Sequence, residues 1–142
     1  MSSKSSNTPK PSKLSTSVLS GVNFISTGRI LIGAGMILAP QPVLGLFGLS
    51  LPDNLIYLAR LTGIRDLVLG GLLWTARTDD STALGRSELR RALTAGVIAD
   101  TADSVATLCA FATGNYDLRY TVVFFALVTP FIGLGTLGLS SL

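Results

Sequence analysis

Six charged residues lie inside long apolar segments of the chain. They are three arginines and three aspartates: Arg29, Arg60, Arg65, Asp66, Asp100 and Asp103. A charge at the centre of a membrane helix costs about 2.5–3.5 kcal/mol on insertion scales, so six such charges must be paired or hydrated. We predict that they converge on one interior cluster. Carboxylates beside guanidinium groups can transfer protons and orient a nucleophile, which makes general acid–base catalysis the chemistry to consider.

Other kinds of catalysis are limited by residue types that the chain lacks. It has no histidine, and Cys109 is its single cysteine. This removes the usual zinc ligands, the Ser–His pair, the Cys–His dyad and any intramolecular disulfide. We expect neither a metal nor a cofactor, so that any reaction depends on carboxylates, guanidinium groups, hydroxyls or the backbone.

The composition is that of an integral membrane protein. Of 142 residues, 48% are hydrophobic and 13% are charged, about half of the roughly 25% that is typical of soluble domains. So few polar residues cannot coat a soluble globule of this size, and a lipid bilayer is the expected environment. The net charge of +3 does not indicate a nucleic-acid partner, because the basic residues form no recognition stripe.

Four segments are long enough to cross about 30 Å of hydrocarbon at roughly 20 residues each. The sequence predicts helices over about 19–39, 54–76, 90–113 and 120–139. These helices form an all-α, four-helix transmembrane bundle within a membrane domain of residues 14–142. Residues 1–13 are rich in Ser, Lys and Pro and are predicted to be a disordered tail.

Helix breakers and capping residues set these boundaries. Pro40 and Pro42 end the first helix, and Asp53 or Asn54 is the predicted N-cap of the second. Gly114 stops the third helix. The stretch between the first two helices is too short and too interrupted to span a bilayer, so we predict an interfacial or re-entrant turn there.

The distribution of Lys and Arg around the segment ends predicts the orientation. Only Arg119 lies on one side of the membrane, whereas seven basic residues lie on the other: Lys4, Lys10, Lys13, Arg77, Arg86, Arg90 and Arg91. With four helices, the tail and the C-terminus share the side of the seven. Both termini are therefore predicted to face the cytosol, and we expect the protein in the endoplasmic reticulum membrane.

Helical periodicity indicates which charges of the second helix can meet a neighbouring helix. At about 100° per residue, one face carries small residues and a carboxylate: Ala59, Gly63, Asp66 and Gly70. Small residues permit close helix approach. Arg60 lies on a flank of this face, whereas Arg65 is predicted to point away from it and to need a different partner.

The third helix carries a polar stripe formed by Gly96, Asp100, Asp103 and Thr107. Asp100 and Asp103 are neighbours at i, i+3, where two ionised carboxylates repel each other. Either an arginine lies between them, or one of the two holds a proton. We predict that Arg60 or Arg65 contacts one of these aspartates.

Three stretches, GRILIGAGMILAP, LFGL and ARLTGIRDLVLGG, resemble a family of small fungal integral membrane proteins catalogued as domain-of-unknown-function family 4267. The resemblance covers about residues 22–140, and its most specific part runs from Arg60 to Asp66. It implies a place in a fungal polyketide or meroterpenoid biosynthetic gene cluster. Some proteins similar to this family are assigned there as epoxide hydrolases or cyclisation helpers.

The residues and the resemblance together predict an epoxide hydrolase or an epoxide-opening cyclase. Asp100 and Asp103 are the expected acid/base pair, with Asp66 as an alternative member. The arginines Arg29, Arg60 and Arg65 orient these groups and balance their charge. An Asp–Arg–Asp site of this kind resembles that of the soluble limonene-type epoxide hydrolases in its chemistry only. The expected partners are a lipophilic small-molecule substrate, the bilayer and other enzymes of the pathway.

Two alternatives stay open at the level of sequence. The charges can be ion pairs that fix helix register in a non-catalytic bundle or scaffold for pathway enzymes. A small proton-linked carrier is a further alternative, which the lack of an internal repeat disfavours.

Overall fold

The structure, a computed structural model, describes residues 15–77, 82–115 and 117–142. These residues are helical and contain no strand, which confirms the all-α prediction. The predicted tail, residues 1–13, lies outside them. The elements in chain order are α1 (Thr16–Leu38), α2 (Pro40–Leu46), a 3-10 turn (Asp53–Leu55), α3 (Ile56–Ala76), α4 (Ala83–Ala112) and α5 (Leu118–Ser140).

Prolines and glycines end the helices where the sequence predicts. Leu38 is the last residue of α1, and Pro40 begins the short helix α2, where its missing N–H costs nothing because first-turn donors have no partner within the helix. The predicted turn between the first two long helices therefore contains seven helical residues. At the end of α4, Gly114 has a φ of 75°, a left-handed conformation that glycine adopts without strain.

Two predicted helix starts are wrong. The side chains of Asp53 and Asn54 do not cap α3, because both residues belong to the 3-10 turn that precedes it. Helix α4 begins at Ala83 rather than near Arg90, with the Thr82 hydroxyl accepting a hydrogen bond from the Gly85 N–H. Arg86, which precedes the predicted third helix, therefore lies within α4, and Arg90 and Arg91 lie two turns inside it.

Three helices in the described ranges, α1, α4 and α5, are long and apolar enough to cross a membrane. Helix α3 has 21 residues but carries three of the six charges, two of them, Arg65 and Asp66, near its middle. Many large apolar side chains point outwards, among them Leu31, Ile98 and Leu137, which are 63–68% exposed. Such a surface is far more apolar than that of a soluble monomer, and it indicates a membrane protein.

The long helices pack in antiparallel pairs. Along α1 and α3, Gly33 lies beside Gly63, and Arg29 lies beside Gly70. Along α4 and α5, a Cβ built on Gly138 would lie 3.1 Å from Leu93, and one built on Gly135 would lie 2.8 Å from Val97. Chain direction therefore reverses between the members of each pair.

The bundle has two unlike halves. The packed half contains the N-terminus of α1, the C-terminus of α3 and the first turns of α4, and it holds the apolar core of Val22, Ile25, Leu73, Leu89 and Leu93. The open half contains α2, the 3-10 turn and the helix ends next to them, and it holds two cavities. Charged side chains separate the two halves.

Candidate active site between the two halves

The close contact of α1 with α3 sets the position of the charged residues. A Cβ built on Gly63 would lie 2.7 Å from the carbonyl oxygen of Gly33, and one built on Gly70 would lie 3.0 Å from the Cβ of Arg29. Glycine is needed at both positions of α3 because a side chain would collide with α1. The predicted small-residue face is confirmed, since Ala59, Gly63 and Gly70 are buried.

Arg29 joins three helices. Its side chain on α1 is 5% exposed, and its two terminal nitrogens donate to carboxylates on different helices. Nη1 donates to Oδ1 of Asp66 on α3 at 2.9 Å, and Nη2 donates to Oδ2 of Asp100 on α4 at 2.5 Å. One guanidinium therefore lies between two carboxylates.

Arg65 repeats this arrangement on the other side of Asp66. Its Nη2 donates to the same Asp66 oxygen, Oδ1, at 3.1 Å, and its Nη1 donates to Oδ2 of Asp103. The five side chains form a continuous series of alternating charges, which we name the charge cluster: Asp100, Arg29, Asp66, Arg65 and Asp103. Asp66 is its central member.

Several sequence predictions about this cluster are corrected. Five of the six charges converge, because Arg60 is exposed and lies close enough to the start of α3 for its long side chain to reach the membrane interface. The expected contact of an arginine with Asp100 or Asp103 is confirmed for Arg65. Arg65 does not point away from the cluster, however, and the two aspartates do not share an arginine.

The surroundings of Arg29 include residues that the sequence does not single out. The guanidinium carbon lies 5.2 Å from the centre of the Phe131 ring on α5, a cation–π distance. On α4, a Cβ built on Gly96 would lie 3.5 Å from Nη2 of Arg29, which is ordinary contact. An aromatic residue within an apolar helix is not distinctive in the sequence. Phe131 therefore could not be assigned to the site of Arg29 before the fold was known.

The charge cluster borders a cavity of about 200 Å³, which we name the inner cavity. All five cluster residues line it, together with apolar residues of α1, α2 and α5. A second cavity of about 360 Å³, the outer cavity, lies next to it beneath the 3-10 turn. On the opposite side, the void between Arg29, Asp100 and the apolar core measures about 10 Å³, room for one water at most. The cluster therefore faces the open half.

The three carboxylates differ in their access to the cavities. The exposed fraction of the side chain is 4% for Asp100, 14% for Asp66 and 33% for Asp103. Asp103 also lines both cavities. Asp103 is thus the most accessible of the three carboxylates and the one of them that also lines the outer cavity.

The described residues contain no group of three or more side chains arranged as metal ligands, and in the charge cluster arginines separate the carboxylates. Family models, curated proteins and solved structures contain no match to this chain. The resemblance to the fungal family therefore remains a prediction. The arrangement itself can hold protons, orient a hydroxyl group and surround an apolar molecule.

Proposed function

We propose that the protein is a membrane-embedded enzyme that opens an epoxide in a lipophilic intermediate, as a hydrolase or as a cyclase. The observation that carries the proposal is the doubled Asp–Arg–Asp arrangement at the wall of an apolar cavity. Carboxylates are the acid/base groups that a chain without histidine can use for this reaction. A cavity lined largely by apolar residues apart from the cluster suits a lipophilic substrate.

Charge balance supports a mixed protonation state. With every group ionised, three aspartates and two arginines leave one excess negative charge in a largely buried site, which is costly. One bound proton makes the cluster neutral. The site then contains both a carboxyl group that can donate a proton and a carboxylate that can accept one.

Exposure and pairing assign the two roles. Asp103, the most accessible carboxylate, accepts a proton from water or from a hydroxyl of the substrate. Asp100, the most buried and paired with one arginine, carries the proton for the leaving oxygen. Asp66 contacts two arginines, so its role is to keep Arg29 and Arg65 in place.

The reaction balances within these groups. The nucleophilic oxygen loses its proton to Asp103 and bonds to an epoxide carbon. The carbon–oxygen bond of the ring breaks, and the leaving oxygen takes the proton of Asp100. Water gives a vicinal diol, and an internal hydroxyl gives a cyclic ether with one new hydroxyl. A proton returns from Asp103 to Asp100, one helical turn away, to restore the starting state.

The proposal includes a four-helix transmembrane bundle with both termini in the cytosol, in the endoplasmic reticulum membrane. The charges of α3 are compatible with a spanning helix because Arg65 and Asp66 are ion-paired and Arg60 can reach the interface. The exposed arginines Arg90 and Arg91 at the start of α4 favour a cytosolic position for that end. Reporter fusions at Ser3 and Leu142 should both read cytosolic, and opposite readings would contradict the topology.

The catalytic test uses Asp→Asn variants, which keep the shape of the side chain but cannot exchange a proton. In purified protein supplied with a lipophilic epoxide, or in cells that accumulate the precursor, Asp103→Asn and Asp100→Asn should each lower turnover about 10²–10⁴-fold. Asp53→Asn, in the 3-10 turn, is the matched control and should leave turnover unchanged. Normal turnover in both cluster variants would rule out this acid/base pair.

A non-catalytic bundle is the second candidate, because each carboxylate of the cluster is ion-paired and the pairs join α1, α3 and α4. This candidate predicts that the same variants lower the amount of folded protein in the membrane and that no epoxide is converted by the wild type. Near-normal folding with lost turnover favours the enzyme.

A further inference from the structure

The inner and outer cavities are not separate sites. They meet along six shared residues: Met36, Leu44, Leu49, Thr62, Asp103 and Phe124. Small-molecule sites typically measure about 300–1,000 Å³. The inner cavity, at about 200 Å³, is below that range, and the outer cavity, at about 360 Å³, is near its lower end. The volumes favour one ligand that occupies both.

Charge is distributed unevenly between the two cavities. The inner cavity has the whole charge cluster on one wall. Among the described residues that line the outer cavity, Asp103 alone is charged, and most of the others are apolar, such as Leu55, Leu58 and Ala110. A polar group in the outer cavity would therefore lie close to Asp103 or to one of a few hydroxyls.

The inner cavity is also lined by apolar residues, among them Ile32, Phe47 and Leu127. A molecule that fills both cavities therefore contacts apolar residues in each of them, and Asp103, which lines both, lies where they meet. Asp103 pairs with Arg65, so this middle position offers both a proton acceptor and a cationic donor.

We propose that the two cavities together bind one elongated lipophile whose single polar group lies between two apolar arms. The polar group lies at Asp103 and Arg65, and each cavity holds one arm. The inference deepens the proposed function, on which it rests for the nature of the reacting group, because it makes the substrate an internal epoxide rather than a terminal one.

Two isomeric alcohols test this arrangement by binding alone. Both are radiolabelled hexadecanols, one with the hydroxyl on a middle carbon and one with the hydroxyl on the end carbon. The mid-chain isomer can place its hydroxyl at Asp103 with an arm in each cavity, whereas the terminal isomer leaves one cavity empty. In detergent-purified full-length protein, we expect the mid-chain isomer to bind at least about tenfold more tightly.

A blocking variant locates the second arm. Ala110 lines the outer cavity but not the inner one, so Ala110→Trp should weaken binding of the mid-chain hexadecanol at least about tenfold. A short terminal alcohol, octanol, fits the inner cavity alone and should keep its affinity, which also shows that the variant folds. The control Ala102→Trp, at an exposed position of α4, should leave both affinities unchanged.

The outcomes separate this inference from the proposed reaction. Equal binding of the two hexadecanols, unchanged mid-chain binding in Ala110→Trp, or an equal loss of hexadecanol and octanol in that variant would each overturn it. Neither alcohol has an epoxide to open. Failure of the catalytic test with positive binding results would therefore leave the binding arrangement intact and reject only the reaction.

Discussion

The packed half and the open half of this bundle contain the same kind of apolar residues, but these residues have different roles in the two halves. In the packed half, Leu89 is fully buried and Leu93 is 2% exposed, within an apolar core that joins α1, α3 and α4. In the open half, residues of equal hydrophobicity, such as Leu49 and Leu127, line cavities instead. Leucines are found in both settings, so for these residues the difference lies in packing rather than in residue type.

The comparison shows that the packed half contributes more to stability, whereas the open half provides the space for a ligand. Within a bilayer, helices associate through packing contacts and polar interactions rather than through removal of apolar surface from water. The apolar core of the packed half supplies such contacts, although a groove of about 440 Å³ lies beside that core between α3 and α4. The open half forgoes many of these contacts around the charge cluster and has two adjoining cavities there. The charge cluster lies at the boundary, where it can both fix the helices and face the cavities.

The largest expected effect comes from removing the arginine that joins three helices. Arg29→Met leaves Asp100 without its ion-pair partner and Asp66 with one partner instead of two. Breaking a buried pair by removing one member costs about 3–5 kcal/mol, and we expect this loss in the free energy of unfolding, measured by denaturant titration in detergent micelles. Arg60→Met makes the same change at an exposed position and should have little effect. Equal effects of the two variants would show that the cluster does not hold α1, α3 and α4 together.

A second pair of variants compares the halves directly. Leu89→Ala opens a void in the packed half and should lower the free energy of unfolding by about 2–4 kcal/mol. Leu127→Ala enlarges the existing inner cavity, where fewer contacts are lost, and should cost less than half as much in the same titration. A larger loss for Leu127→Ala would mean that the open half is the more tightly packed one in the membrane.

From the sequence, the charge cluster between the two halves could be predicted better than the packing of either half. The cost of intramembrane charge requires a cluster, and a periodicity of 3.6 residues places Asp66 on the small-residue face of α3. Periodicity gives directions around one helix only. It does not state which helix lies opposite, so it could not show that Arg29 would join Asp66 to Asp100.

Side-chain length and helix length explain the remaining differences. Arg65 reaches Asp103 although its position on the helical wheel predicts another direction, because a long flexible side chain covers a wide arc. Hydropathy detects the part of a helix that lies in hydrocarbon, so the charged first turns of α4 went unrecognised. The 30 residues of α4 extend about 45 Å at roughly 1.5 Å per residue, more than the bilayer core requires. The cavities could not be predicted, because no residue type or spacing in the sequence indicates where side-chain contacts are absent.

Two glycine substitutions on α3 test the close contact of α1 with α3 that positions the charge cluster. Gly63→Ala places a methyl group 2.7 Å from the Gly33 carbonyl oxygen, and the helices must separate at a cost of about 1–3 kcal/mol. Gly71→Ala, on the same helix with no atom within 4 Å of the added Cβ, should be neutral or stabilising by up to about 1 kcal/mol because alanine is the better helix former. Similar losses in the two variants, measured by the same titration, would argue against a tight α1–α3 contact.

The smallest expected effect is a gain, and it comes from making the open half more like the packed half. Ala110→Leu adds apolar atoms at the wall of the outer cavity. Cavity filling of this kind typically raises the free energy of unfolding by about 0.5–2 kcal/mol, and we expect the lower part of that range because the cavity is partly open. The same variant should bind the mid-chain hexadecanol more weakly than the wild type.

The matched control is Ala102→Leu, an equal addition at an exposed position of α4. It should change neither the unfolding free energy nor the affinity, because the new side chain gains only contacts with lipid or detergent. If Ala110→Leu alone is more stable than the wild type and binds the mid-chain hexadecanol more weakly, the volume of the outer cavity serves a ligand at the expense of packing. If Ala110→Leu instead binds the mid-chain hexadecanol with the affinity of the wild type, the outer cavity holds no part of the ligand. Its low packing density then has no role in binding.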